Sequence, residues 1–399
     1  MQKLNPYYIF NFGLLLVIVI YSLRLSNLYP SFSLSIIIFF ICIISLFSLL
    51  GYNFKKEFRF LDNVQSNIWK NKKYVLGSWC SLFGTLAEGV YSHGFPLLER
   101  YGDDVDFGIP TFHVILVVFI TFITICIFQS YLFISNKKER RKLILLFFIN
   151  FGCLMLDLSR SVILIIVLNC LWLFFFKERK NKIRFTKKKI IPIFLGLVTG
   201  LYLFGIIGNY RSNLQMNNAN NDLLDSTLIY EVGDAKEEIR DNKYMGPLFW
   251  DYIYMSSPVA NLQNIVNLKT NNNEPINKEG IITQYIPEVI SGKIFPDYTW
   301  KSSISYQINS ILNAATVFFS SYYILGWIGV IAMFIYMAVF PYVYLYLIRN
   351  LAREYFGIAI ALLNTAYLLN LFGNMFSSTV TALLFFFPFL GSMLDKLKS

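Results

Sequence analysis

The chain has 399 residues, 56% of them hydrophobic and 18% aromatic, with only 15% charged. A soluble domain carries about 45–50% apolar and about 25% charged residues, so a water-soluble enzyme and a disordered chain are both excluded. At roughly 20 residues per span, the length holds about ten membrane helices and one sizeable loop, and the net charge of +11 must be assigned to sides of a membrane before it is read.

Ten apolar segments follow one another at about 7–23, 33–51, 74–92, 111–134, 143–158, 160–176, 190–207, 323–347, 356–373 and 375–393. The expected fold class is all-α: a polytopic membrane protein of about ten transmembrane helices, since helices satisfy every backbone group in lipid. The first run lacks a small-residue cleavage site before Arg24 and reads as a retained span. The third is the least apolar and carries Glu88. The fifth and sixth form a tight helical hairpin about Asp157 and Arg160. The five cysteines, Cys42, Cys80, Cys126, Cys153 and Cys170, all fall in apolar stretches without CxxC spacing and read as small buried hydrophobes.

Lys and Arg set the orientation. With the N-terminus inside, the inner segments hold 24 of the 35 basic residues against six acids. Both termini are then expected in the cytoplasm of a bacterial inner membrane. The basic runs are topology determinants and anionic-lipid contacts, and nucleic acid is not an expected partner. The expected division is a membrane domain over 1–207, an extracytoplasmic loop over 208–322 and a second membrane domain over 323–399. In the loop, 246–268 suggests one or two short amphipathic helices, interrupted by Pro258 and lying at the membrane face. Polar stretches flank them, Asn213 to Asn221 and Thr270 to Lys278.

Nucleotide-binding, hydrolase-elbow and metalloprotease motifs are missing, and two histidines cannot make a multi-histidine metal site. The acids Glu88 and Asp157 sit near the outer ends of their spans, so candidate chemistry concentrates at the outer face. Asp104-Val105-Asp106 has the spacing of a metal-holding DxD, for which a solvated acidic loop is the commoner explanation. His113, at the mouth of the fourth span, is a candidate general base or a histidine hydrogen-bonded at a helix start. Arg160 and Arg211 lie at the outer boundary, where a guanidinium must be paired or face a polar cavity, and its planar fork suits phosphate. Arg240 is a weaker third. Asp251, Tyr254 and Asn261 offer the stacking faces, amide and carboxylate that line carbohydrate clefts. Thr316 precedes Gly326 and Gly329, whose spacing allows close helix approach.

Four stretches, GFPLLERYGDDVDFGIPTFHV, SRSVILIIVLN, GNYRSN and NAATVFFSSYYILGWIG, together with the layout over the whole chain, resemble the Wzy-type oligosaccharide repeat-unit polymerases, or O-antigen polymerases. The chain departs from better-described members in lacking paired RX10G motifs in two large outer loops. The resemblance implies a membrane glycosyltransferase that joins undecaprenyl-diphosphate-linked repeat units on the outer side of the inner membrane. It implies no nucleotide sugar, no cofactor and no metal, and it implies chain-length regulator and flippase proteins as partners. Arg160 and Arg211 would offset charge developing on the diphosphate, with Arg240, Tyr254, Asn261 and Thr316 holding substrate. His113, Asp157 and Asp251 compete as the base for the acceptor hydroxyl. The alternatives are an O-antigen ligase of similar layout and a lipid-linked oligosaccharide transporter.

Overall fold

The computed structural model describes residues 4–55, 71–98, 107–157, 160–180, 187–215, 223–242, 244–269, 278–298 and 300–396. Side chains at 71, 160, 179–180, 187–194, 197, 211–212, 214–215, 300–302 and 395–396 lie outside that description. The described chain is mostly helical and no strand occurs in it; one isolated bridge joins Ser26 to Ala235.

The membrane-type helices are α1 (Pro6–Ser22), α2 (Leu34–Asn53), α3 (Asn71–Tyr91), α4 (Phe112–Phe133), α5 (Lys137–Leu156), α6 (Arg160–Lys180) and α7 (Lys187–Gln215). Four stretches among the described residues are long and apolar enough to cross a bilayer: Leu34–Asn53, Phe112–Phe133, Ser161–Glu178 and Val317–Leu351. The other six expected segments are helical too, but are shorter, broken or more polar. The last, expected as one span over 375–393, is two helices. Its Pro388 has no N–H to donate, and the chain turns at Phe385 and Phe386.

Between them lie α8 (Thr227–Val232), α9 (Glu237–Arg240), α10 (Gly246–Leu268), α11 (Lys278–Thr283) and α12 (Glu288–Ile294). The chain ends in α13 (Val317–Leu351), α14 (Phe356–Leu369), α15 (Thr379–Leu384) and α16 (Phe387–Lys396). Here the expectation for 246–268 is corrected. The segment is one helix running through Pro258, and most of its residues are buried against α1, α7 and α13. Its apolar residues occur all round rather than on one stripe, which is the pattern of a core helix.

The deepest element is α14, with every residue but Leu368 buried among α1, α4, α6, α13 and α15. At about 1.5 Å per residue its 14 residues reach about 21 Å, short of a ~30 Å hydrocarbon core. Helix α2 is the opposite case: Ile36, Phe40, Ile43 and Phe47 face inward, while Leu34, Ile38, Ile41 and Leu49 point out. Helix α13 is broken at Gly326, where φ of 59° and ψ of −142° leave the helical region. Three residues on, a Cβ at Gly329 would lie 2.1 Å from the Ser321 carbonyl oxygen. The two glycines therefore do different work: Gly326 turns the chain, and Gly329 admits the backbone of the preceding stretch.

Candidate active site at one end of the α3–α5 bundle

One face of α3 carries Tyr74, Ser78, Ser81, Thr85 and Glu88, spaced four and three residues apart in turn, and all five are buried. That spacing is a helix stripe. The stripe faces α4 and α5. The Tyr74 hydroxyl meets that of Ser130, and Asn150 Nδ2 donates to Ser78 Oγ at 2.7 Å. Gly77 and Gly84 lie between these positions, against Ile123 and Leu116, so the helices approach closely.

At the end of this seam where α3 and α5 finish and α4 begins, three titratable side chains from three helices meet. His113, in the first turn of α4, has Nδ1 3.1 Å from Glu88 Oε2 of α3. Its Nε2 lies 3.7 Å from Oδ1 of Asp157, the residue that ends α5. Glu88 is 2% exposed, Asp157 10% and His113 26%. The imidazole is thus the member that reaches the surface. Glu88 Oε1 is buried with no hydrogen-bond partner among the described residues. The loops bring the three together. Leu97 N–H donates to the Leu156 carbonyl at 3.1 Å, tying the end of α3 to the end of α5. Gly108, at φ of 93°, donates its N–H to Ser92 Oγ and lies against the histidine ring, where a Cβ would be 2.6 Å from Nδ1. Phe107 meets the ring edge-on at 5.7 Å.

A second polar group surrounds α10. Trp250 Nε1 donates to Asn209 Oδ1 of α7 at 2.6 Å, and Trp250 stacks on the half-exposed Tyr254, which meets Phe204 edge-on. On the same face, Asp251 Oδ2 is buried with no partner among the described residues. Burial pushes the Asp251 carboxyl up to about 6. A carboxyl that ionises so close to neutrality suits acid–base work.

The expected site residues therefore separate. His113 and Asp157 come together, and the sequence reading missed Glu88 as their partner. Asp251 and Tyr254 belong to the α7–α10 group, apart from the α3–α6 bundle. Asp157 caps α5 and Arg160 opens α6, so the two stand at the junction of successive helices. Arg211 lies within α7, not beyond it. The side chains of both arginines, and Asp103, Asp104 and Asp106 entirely, lie outside the described residues.

Two candidates are engaged in contacts that hold the chain. Asn261 is fully buried; its Nδ2 donates to the Leu312 and Ala314 carbonyls at 2.7 Å, and its Oδ1 accepts from Ile308 N–H. It pins the chain returning towards α13. Arg240 donates to the Ala235 and Tyr230 carbonyls and pairs with Asp234 at 3.2 Å, so its guanidinium holds the 230–235 turn. Thr316 precedes the first turn of α13 with Oγ1 buried and no partner among the described residues. Cys42 and Cys80 are exposed on outward helix faces, contrary to the buried reading.

An aromatic cavity of about 180 Å³ opens between α13, the α15–α16 break and the link from α11 to α12. Tyr285, Tyr336, Phe340, Tyr344, Phe376 and Phe385 line it. It is smaller than pockets of about 300–1,000 Å³ that enclose drug-sized ligands, and it suits a stretch of hydrocarbon chain.

No protein-family model, no curated protein and no solved structure matches the chain.

Proposed function

We propose that the protein is a ten-span glycosyltransferase of the bacterial inner membrane, with both termini cytoplasmic. In this reading it polymerises undecaprenyl-diphosphate-linked oligosaccharide repeat units into O-antigen or a related surface polysaccharide. The observation that carries the reading is the imidazole of His113 held between the Glu88 and Asp157 carboxylates at the outer end of the helix bundle. An ionisable cluster at membrane depth is expensive and marks a working site more often than a structural one.

The reaction needs a base and a way to carry off negative charge. His113 takes the proton of the acceptor hydroxyl as that oxygen bonds to the anomeric carbon of the donor sugar. The bond from that carbon to the diphosphate oxygen breaks, and the electron pair leaves on the diphosphate. The imidazolium then returns its proton to water. Arg160 and Arg211 offset the diphosphate charge, and Asp157 steadies the imidazolium. Tyr254 and Trp250 supply stacking faces for sugar rings, and Asp251 a directional hydrogen bond. The aromatic cavity beside α13 takes part of the polyprenyl tail. Flippase and chain-length regulator proteins act before and beside the enzyme.

The transporter reading rests on the buried polar seam of α3, which could line a path. Interhelical Ser, Thr and Asn contacts hold membrane helices together without any path, and Ser78, Ser81 and Thr85 each bond back to the carbonyl four residues earlier. A gel of surface polysaccharide from cells lacking the gene separates the readings. A ladder collapsing to a single-repeat band is expected. Total loss of attached glycan would mean a ligase or a transporter, and an unchanged ladder would refute the proposal.

A further inference from the structure

We propose that Glu88 is the positioning residue of this site: it holds the neutral imidazole of His113 with its proton on Nδ1, leaving Nε2 as the nitrogen that accepts the substrate proton. This rests on the reading of His113 as the general base. A neutral imidazole carries one N–H, and the nitrogen facing the better acceptor keeps it. Nδ1 is within hydrogen-bond distance of Glu88 Oε2 at 3.1 Å, whereas Nε2 stands 3.7 Å from Asp157, outside that range. The donor is therefore Nδ1 and the lone pair is on Nε2.

The surroundings fix this arrangement. Glu88 ends a buried stripe that packs along the length of α3, and its second oxygen Oε1 is buried without a partner among the described residues. Its one described stabilising contact is thus the imidazole. Gly108 lies against Nδ1, and Phe107 meets the ring edge-on. A ring turned by 180° would fill the same space but set carbon Cδ2 where Nδ1 now meets Glu88, and the hydrogen bond would be lost. Glu88, by contrast, is too enclosed to meet a sugar. His113, the most exposed of the three, is the member substrate can reach, and Nε2 is the nitrogen left to meet it.

The test uses the full-length protein with ¹⁵N-labelled histidine in lipid nanodiscs. The chain has two histidines. His93 sits at φ of 60°, a conformation asparagine tolerates, so His93→Asn leaves a single imidazole to observe. At about pH 9 the His113 spectrum should show a protonated Nδ1 and an unprotonated Nε2. Glu88→Ala should reverse the tautomer ratio by about tenfold or more, as expected for loss of a hydrogen bond to a charged group. Glu88→Gln, which keeps an acceptor oxygen in place, should restore the parental pattern. A proton on Nε2, protons on both nitrogens at that pH, or a Glu88→Ala spectrum like the parent's would overturn the proposal. Should Glu88→Ala fail to fold, the parental and Glu88→Gln spectra still decide it. None of these spectra depends on turnover. An unchanged polysaccharide ladder in cells lacking the gene would remove the polymerase reading and leave the tautomer result standing.

Discussion

His113 and Asp251 are both candidate bases, and their surroundings lead to different behaviour. His113 has two carboxylates in place, so its loss should act on turnover. His113→Ala should lower polymerisation by about 10²- to 10⁴-fold, the usual contribution of a positioned general base, with protein level in the membrane unchanged. Asp157→Asn should retain more activity, because the longer Asp157 contact steadies a charge and does not hold the reactive tautomer. Quantifying chain formation alongside an immunoblot checks both. Asp251 should instead show itself in stability. Its folded-state carboxyl is raised to about 6 by burial, so the fold holds that proton more tightly than the unfolded chain does. Stability contributed at this position is present at low pH and lost as pH rises from about 4 to about 6. Asp251→Asn should raise the unfolding temperature near pH 7.5 and have little effect near pH 4. Because the residue is partly exposed and solvent screens it, the gain should be on the order of 1 kcal/mol or less. An equal shift at both pH values would contradict this account of the residue.

At the scale of elements, hydropathy located the ten apolar segments in helical stretches, with ends mostly within a few residues, although the last, 375–393, is two helices rather than one. Three features were not legible, each for a physical reason. The helix through Pro258 looked interrupted because a proline lacks an N–H and crowds the preceding turn. In the fold, burial on all sides holds the helix together regardless. The bend in α13 was hidden because Gly326 and Gly329 share the spacing of packing glycines, and φ is not written in spacing. Glu88 read as a flaw in a span because its partner is 25 positions away on the next helix. Its recurrence four and three residues apart with Tyr74, Ser78, Ser81 and Thr85 was the signal that could have found it. Gly326→Ala should cost about 1–3 kcal/mol, because φ of 59° with ψ of −142° is a conformation that a residue with a Cβ rarely adopts. Gly329→Ala should cost about 1–3 kcal/mol, since the new methyl meets a backbone carbonyl rather than a flexible side chain. Thermal unfolding in detergent reads both, and a Gly329→Ala protein as stable as the parent would contradict the close approach.

For the whole molecule, the proposed ten-span layout with both termini inside divides the +11 net charge between two sides. With ten spans, 24 basic residues face six acids within, and the remaining eleven basic residues share the outer side with eighteen acids. A tag at either terminus should therefore react only after the cytoplasmic side is opened, and labelling of the C-terminus from outside would overturn the ten-span layout. The fold divides the candidate chemistry between two groups of helices. One group of helices carries the Glu88–His113–Asp157 cluster, and another carries the aromatic faces beside Asp251. The central claim is that the first of these makes glycosidic bonds between repeat units. Its most direct measurement is the surface polysaccharide of cells whose only copy of the protein is His113→Ala, inserted at the normal level. The account predicts carriers and surface glycan capped with a single repeat unit. Long polymer at normal abundance would contradict it.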